Sequence, residues 1–255
     1  MANLQQISML KVTNLRCGYK NTHGANKSTY RIVLDSVGFE LEKSCLMLLA
    51  GRNGIGKSTI IKTLAGLQNP LHGEVFINNI PVFKTDAPTR AALVSVMFST
   101  PPELMLTKTQ DVILTGMMRT FSTFQWKLDK EYEIVKQCME TCNMTGFWDR
   151  DFASLSDGEK QKIMLARCLA QNTPVLLLDE PLAFLDYPSR REMLALLQKL
   201  CKEENKVILY SSHDLEIAMK HCDKMLFLES ENKHNWFENR AEIDMVNPAK
   251  LFELA

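Results

Sequence analysis

Apolar residues along this chain follow two alternating rhythms. Runs that are apolar almost throughout, such as VLLL at 175–178 and KVILYSS at 206–212, alternate with stretches in which apolar residues recur every three or four positions, EMLALLQKLCKEE at 192–204 and LEIAMKHC at 215–222. Unbroken apolar strands separated by amphipathic helices predict an α/β fold with a parallel sheet covered on both faces. From Leu10 to Leu49 the pattern is strand-like instead, with MLKVTNL, YRIVLDSVGFEL and CLMLLAG separated by polar or glycine-containing turns. The polar insert NTHGANKST reads as a loop, and Ser44 as part of a turn. IIKTLAGL then predicts a helix, and GEVFINNIPV a hairpin around Asn78 and Asn79.

The middle of the chain changes character. Pro101 and Pro102 break it, and most of the stretch from there to Arg150 reads as helix, with Thr107 and Gln110 as a capping pair and DKEYEIVKQCMETCN as an amphipathic helix. A helical subdomain over about 101–155, inserted in an α/β core, is the expectation. In SLSDGEKQK, Ser156 and Glu159 form a capping box ahead of a helix whose buried side is Ile163, Met164, Leu165, Ala166, Leu169 and Ala170. The tail at 229–255 is polar and carries no clear period; its KHNWFENR reads as a solvated segment or a strand pair.

Composition narrows the function classes. The chain has 255 residues, with 30 basic and 30 acidic, so no overall field draws it to nucleic acid or an anionic membrane surface. Seven cysteines without regular spacing suit a reducing compartment rather than a disulfide framework. Cys138 and Cys142 share a helix face and read as packing residues rather than metal ligands, and FSTFQW at 121–126 reads first as buried within the helical insertion and second as a protein contact. The opening MANLQQISMLKV lacks the basic start and long apolar core of a secretory signal, and no apolar run reaches spanning length.

Two motifs carry chemistry. Gly51-Arg-Asn-Gly-Ile-Gly56-Lys57-Ser58, between the run LMLLA and a helix, fits a phosphate-binding loop. Its glycines let backbone amides turn toward phosphate oxygens, Lys57 adds a cation, and the Ser58 hydroxyl suits Mg2+. Gly51, Asn53, Gly54, Gly56, Lys57, Ser58 and Thr59 are the candidate nucleotide-binding residues here. Asp179 and Glu180 follow the buried strand VLLL, at the carboxyl end where open α/β sheets bind ligands. Read alone they are a strand ending in two acids; beside a phosphate loop, Asp179 is the candidate metal ligand and Glu180 the group that polarises a water.

Together these residues resemble the ATP-binding cassette ATPases, whose LSGGQ signature corresponds here to Leu155-Ser-Asp-Gly-Glu159. The resemblance spans about Leu10 to Leu228 and implies a P-loop (RecA-like) core, an amino-terminal antiparallel β subdomain and the helical insertion, with 1–255 as one nucleotide-binding domain. It implies that Tyr19 stacks on adenine, that Ser156 and Gly158 meet the γ-phosphate held by a second copy, and that Asp186 crosses to that copy. His213 is then the switch histidine, catalytic together with Glu180. Where the family normally has a metal-touching glutamine this chain has Ser99, which reaches Mg2+ only through water.

The function so implied is ATP hydrolysis, with ATP and Mg2+ bound, in a homodimer of nucleotide-binding subunits attached to separate transmembrane permease subunits on the cytoplasmic face of the membrane. No nucleic-acid partner is expected. Local stretches such as PPELMLTKTQDVILTG and PLAFLDYPS resemble importers of iron-siderophore, haem or cobalamin type. The alternatives are the ATPase of an exporter or lipoprotein-release system, and a soluble cassette ATPase outside transport.

Overall fold

The first third of the chain builds two sheets at once. The computed structural model describes residues 8–21, 29–120, 128–230 and 233–253. β1 (Leu10–Asn21) pairs antiparallel with β2 (Thr29–Leu41), β3 (Leu46–Gly51) leads into α1 (Lys57–Leu64), and β4 (His72–Ile77) returns to the free side of β1. β5 (Ile80–Pro81) closes a hairpin on β4 and completes the order β2-β1-β4-β5. Asn78 and Asn79 sit at φ 49 and 63, the left-handed values a two-residue hairpin turn requires and asparagine tolerates. Ser44 adopts φ 61 in the turn before β3.

The remaining elements extend the second sheet and clothe it. They are α2 (Ala87–Leu93), β6 (Val94–Met97), α3 (Thr109–Leu114), α4 (Leu128–Thr141), α5 (Asp157–Ala170), β7 (Val175–Leu178), α6 (Tyr187–Glu203), β8 (Val207–Ser212), α7 (Leu215–Ala218), β9 (Lys224–Ser230), β10 (Lys233–Phe237), α8 (Arg240–Asp244) and α9 (Pro248–Glu253). The sheet runs β10-β9-β3-β8-β7-β6, parallel except for the antiparallel edge strand β10.

Period-two alternation in the buried strands divides the interior into two cores. Met47, Leu49, Leu177, Leu209 and Leu226 face α1 and the antiparallel sheet. Leu46, Leu48, Leu178, Ile208 and Phe227 face the side packed by α3, α4, α5 and α6. β3, β7 and β8 are buried at every position, which is why they read as continuous apolar runs. No helix among the described residues is long and apolar enough to cross a membrane.

Two local expectations change. Thr107 and Gln110 do not cap a helix: α3 starts at Thr109 after Lys108, with no side-chain cap, and the Thr107 hydroxyl donates to Met105 O at 3.1 Å. Backbone bonds from Thr109 N to Arg150 O and from Phe152 N to Thr107 O hold this stretch extended, and the Thr109 hydroxyl donates to Trp148 O at 2.8 Å. The helix expected over LEIAMKHC stops at Ala218, whose carbonyl accepts from the Tyr210 hydroxyl at 2.8 Å, while Gln198 takes the carbonyl of His221 at the same distance. KHNWFENR begins as β10, and Trp236 stacks on Phe39 of β2 with ring centroids 5.1 Å apart. The central residues 22–28 of the expected loop, the FSTFQW segment, and residues 1–7 lie outside the described residues.

All seven cysteines are buried, Cys138 and Cys142 among them, and burial pushes their thiols up. Cys17 and Cys138 rise from an ordinary 9.0 to about 11, and Cys45, Cys168, Cys201 and Cys222 to about 12. Unfolded thiols ionise near the ordinary value while native ones stay protonated, so their contribution is complete below it and is lost as pH rises toward the native values. The urea midpoint should therefore fall steeply between about pH 9 and pH 11, and Cys168→Ala should remove part of that slope. A profile unchanged in slope by that substitution contradicts the assignment.

Candidate active site

Residues 51–57 turn the chain from β3 into α1. Gly56 caps α1 at φ 115, and a Cβ there would lie 2.0 Å from Val33 Cγ1, so only glycine lets β2 close over the turn. Gly54 stands at φ 79 with open space where a Cβ would be; its requirement is conformational alone. Asn53 is exposed and Ser58 half-buried. α1 has no side-chain cap and no acid in its first turn, so its amides and positive dipole end face the loop unopposed.

Lys57 is only 5% exposed, and its ammonium folds back over the loop. Nζ donates to Gly51 O at 2.8 Å and Arg52 O at 3.2 Å, and it pairs with Glu180 Oε1 at 3.0 Å. Burying a cation without such partners is costly, so these three oxygens stand where phosphate oxygens would otherwise serve. Thr59 is buried, and its hydroxyl lies 2.6 Å from that of Tyr19, a residue 45% exposed.

The carboxylates come from the end of β7. Asp179 is buried, and its amide donates to Met97 O of β6 at 2.8 Å. Sequence reading did not single out Ser211, yet it organises both acids: its hydroxyl donates to Asp179 Oδ1 at 2.7 Å and accepts from Glu180 N at 2.8 Å. The pairing of Leu178 with Tyr210 sets that register, and the one sequence signal was a serine pair at a strand end. Glu180 stands at φ 49, a strained value for a long side chain, and this turns its carboxylate back over the site. His213 Nδ1 lies 2.9 Å from Glu180 Oε2. Asp179 and the Ser58 hydroxyl are hard oxygen donors of the kind Mg2+ accepts, so the side chains present fit that ion.

Ser156 and Gly158 belong to another face. Ser156 caps α5, its amide and hydroxyl each donating to Glu159 Oε2 at 2.8 Å, so the capping box is real. A Cβ on Gly158 would come within 3.2 Å of Phe184 O, which shows how closely the loop before α6 packs here. Asp186 caps α6 through Ser189 N at 2.9 Å, and its hydrogen bonds with Ser189 hold its carboxyl below the usual carboxylate range. A cavity of about 600 Å³ is lined by Ser156, Asp157, Gly158, Lys162, Phe184 and Asp186, and by no described residue of 51–59. Ser99 lies beyond β6, and its carbonyl accepts from Nε2 of the fully buried Gln161 at 3.1 Å.

Ser211→Ala should lower ATP turnover about tenfold with nucleotide affinity kept, because it releases the Asp179 carboxylate and the Glu180 backbone that aims the second acid. Parental turnover in a steady-state assay contradicts that role. Lys57→Ala should weaken ATP binding by about tenfold or more in a titration, and unchanged affinity would remove the phosphate-loop assignment.

The ABC transporter family model matches residues 34–183. The uncharacterised ABC transporter ATP-binding protein MJ0873 of Methanocaldococcus jannaschii is 31% identical over 248 residues, 96% of this chain and 82% of that protein. The iron(3+)-hydroxamate import ATP-binding protein FhuC of Bacillus subtilis is 31% identical over 199 residues, 78% of this chain and 74% of its own length. Among solved structures, a dimeric ATP-binding cassette in a post-hydrolysis state with ADP and Pi matches with a TM-score of 0.76 at 23% identity, covering 89% of this chain and 98% of that one. A phosphate loop, two carboxylates at a nearby strand end and a histidine just past the strand between them thus sit on a fold shared with that cassette, and the chain belongs to the ABC transporter family as one of its ATPase subunits.

Proposed function

We propose that the chain powers a membrane importer by binding MgATP on residues 51–59, pairing head to tail with a second copy, and passing that closure to separate permease subunits. The observation that carries the reading is Glu180, held by Lys57 at 3.0 Å and by His213 at 2.9 Å at the end of β7. Arrival of phosphate draws Lys57 away from Glu180 and leaves that carboxylate to polarise a water, with His213 beside it. Bound Mg2+ neutralises charge on the phosphate oxygens, and Asp179 and Ser58 are the residues to hold it; Ser99 contributes at most through water. Tyr19, an exposed residue, offers its ring face to adenine.

The separation of the two faces supports pairing. Ser156 and Gly158 line a cavity apart from the phosphate loop, so a second copy is needed to bring them to the γ-phosphate, with Asp186 reaching across. A groove of about 590 Å³ between the core and the helical insertion, lined by Leu67, Arg90, Phe98, Pro102, Leu104 and Arg167 among others, supports permease docking on the cytoplasmic face of the membrane. The FhuC relative, named for iron(3+)-hydroxamate import, supports the import direction, and the cargo we propose is of iron-siderophore, haem or cobalamin type.

Glu180→Gln should bind ATP, lose about 100-fold or more in turnover, and elute as a dimer of the 29.1 kDa chain only when ATP is present. A monomer at saturating ATP contradicts the pairing. Purification from the native membrane should bring a many-helix permease with it, and Leu67→Glu should abolish that association at an unchanged melting temperature. Recovery with ribosomes and no membrane subunit overturns the transport reading.

A further inference from the structure

The loop that carries Asp186 and the turn that carries His213 follow different strands, yet one side chain touches both. Arg190, in the first turns of α6, donates from Nε to Leu185 O at 2.9 Å and from Nη1 to Asp214 Oδ2 at 2.8 Å. Leu185 immediately precedes Asp186, and Asp214 immediately follows His213. The backbone amide of Arg190 also donates to Asp186 O at 2.9 Å, so α6 grips this loop twice.

Asp214 shows that this tie is more than a helix staple. It occupies the N-cap position of α7 and is of a residue type that caps well, yet its side chain makes no capping bond. Its carboxylate points outward to Arg190, while the Ser212 hydroxyl takes its amide at 3.0 Å. The residue is thereby held from both sides, and with it the position of His213, whose Nδ1 meets Glu180 Oε2 at 2.9 Å. Arg190 and Asp214 are 33% and 30% exposed, so solvent screens the pair and its value lies in geometry. A planar guanidinium holds a carbonyl and a carboxylate in one rigid fork, whereas a lysine ammonium is a compact point charge on a flexible stem that fixes neither direction.

We infer that Arg190 is a positioning residue that couples the Asp186 loop to the His213 turn, so that seating Asp186 against a second copy sets His213 on Glu180. The inference rests on the proposed head-to-tail pairing. The path runs Leu185 O, Arg190, Asp214, His213, Glu180, and every link is a contact within one chain.

The test uses the full chain and reads kcat, KM, ADP affinity, melting temperature and ATP-driven dimerisation in a Glu180→Gln background. Arg190→Met should lower kcat about tenfold or more while ADP affinity stays within about twofold and the Glu180→Gln form still pairs. Arg190→Lys, which keeps the charge, should recover only a minor part of the loss. Asp214→Ala should match Arg190→Met, and the double variant should be no worse than either single one, because both break the same path. Losses that multiply, or an unchanged kcat with a lowered melting temperature, would reduce Arg190 to a staple and overturn the inference. If the Glu180→Gln parent stays monomeric with ATP, the paired reading fails and the seating step fails with it, separately from the kcat result.

Discussion

A buried ammonium with three oxygens around it sets the terms for the rest of the site. Lys57 is almost wholly enclosed, and the carbonyls of Gly51 and Arg52 together with the Glu180 carboxylate satisfy it. A buried charge is costly without such partners, and a phosphate group is a stronger acceptor than a backbone carbonyl. The sheet order follows from the same need. β3, β8 and β7 are parallel neighbours, so Gly51, the Ser211–His213 segment and Asp179–Glu180 emerge side by side at one edge. Two apolar cores, one on each face, keep that edge rigid.

Strain gathers between β7 and α6. Glu180 at φ 49 and Phe184 at φ 61 are both non-glycine residues in the left-handed region, and they bracket the short loop joining the carboxylates to Asp186. That loop packs against Gly158 on one side and is gripped by Arg190 on the other. The contacts of Lys57 with Glu180, of Glu180 with His213 and of Arg190 with Asp214 therefore form one connected set. On the proposed reading, nucleotide at Lys57 acts on one end of it and a second copy at Asp186 acts on the other.

Features legible in the sequence were mostly local. The glycine-rich turn into α1, the Asn78–Asn79 hairpin and the Ser156–Glu159 capping box are each defined by a few adjacent residues, and each takes the expected backbone form. Apolar runs marked β3, β7 and β8, because strands buried on both faces have no polar positions to interrupt them. The failures share a cause. Thr107 and Gln110 satisfy a local capping pattern, but bonds from Thr107 and Thr109 to residues 147–152 decide where α3 begins. α7 ends early in a stretch tied to other elements, with the Tyr210 hydroxyl donating to Ala218 O and Gln198 Nε2 to His221 O just beyond the helix. Ser211, Gln161 and Arg190 escaped notice for the same reason: their partners are distant in sequence, and no spacing rule announces them.

In the proposed function, Glu180 and an incoming phosphate compete for Lys57, and the nucleotide response depends on that competition. ADP lacks the γ-phosphate that closes the pair in the proposed cycle, so its affinity isolates the competition from dimerisation. Titrating ADP into the parental chain and into Glu180→Gln is the most direct measurement. Removing the carboxylate's charge should tighten ADP about three- to tenfold, the worth of one partly enclosed ion pair. Equal or weaker binding by Glu180→Gln would contradict the claim that Glu180 holds Lys57 until nucleotide arrives.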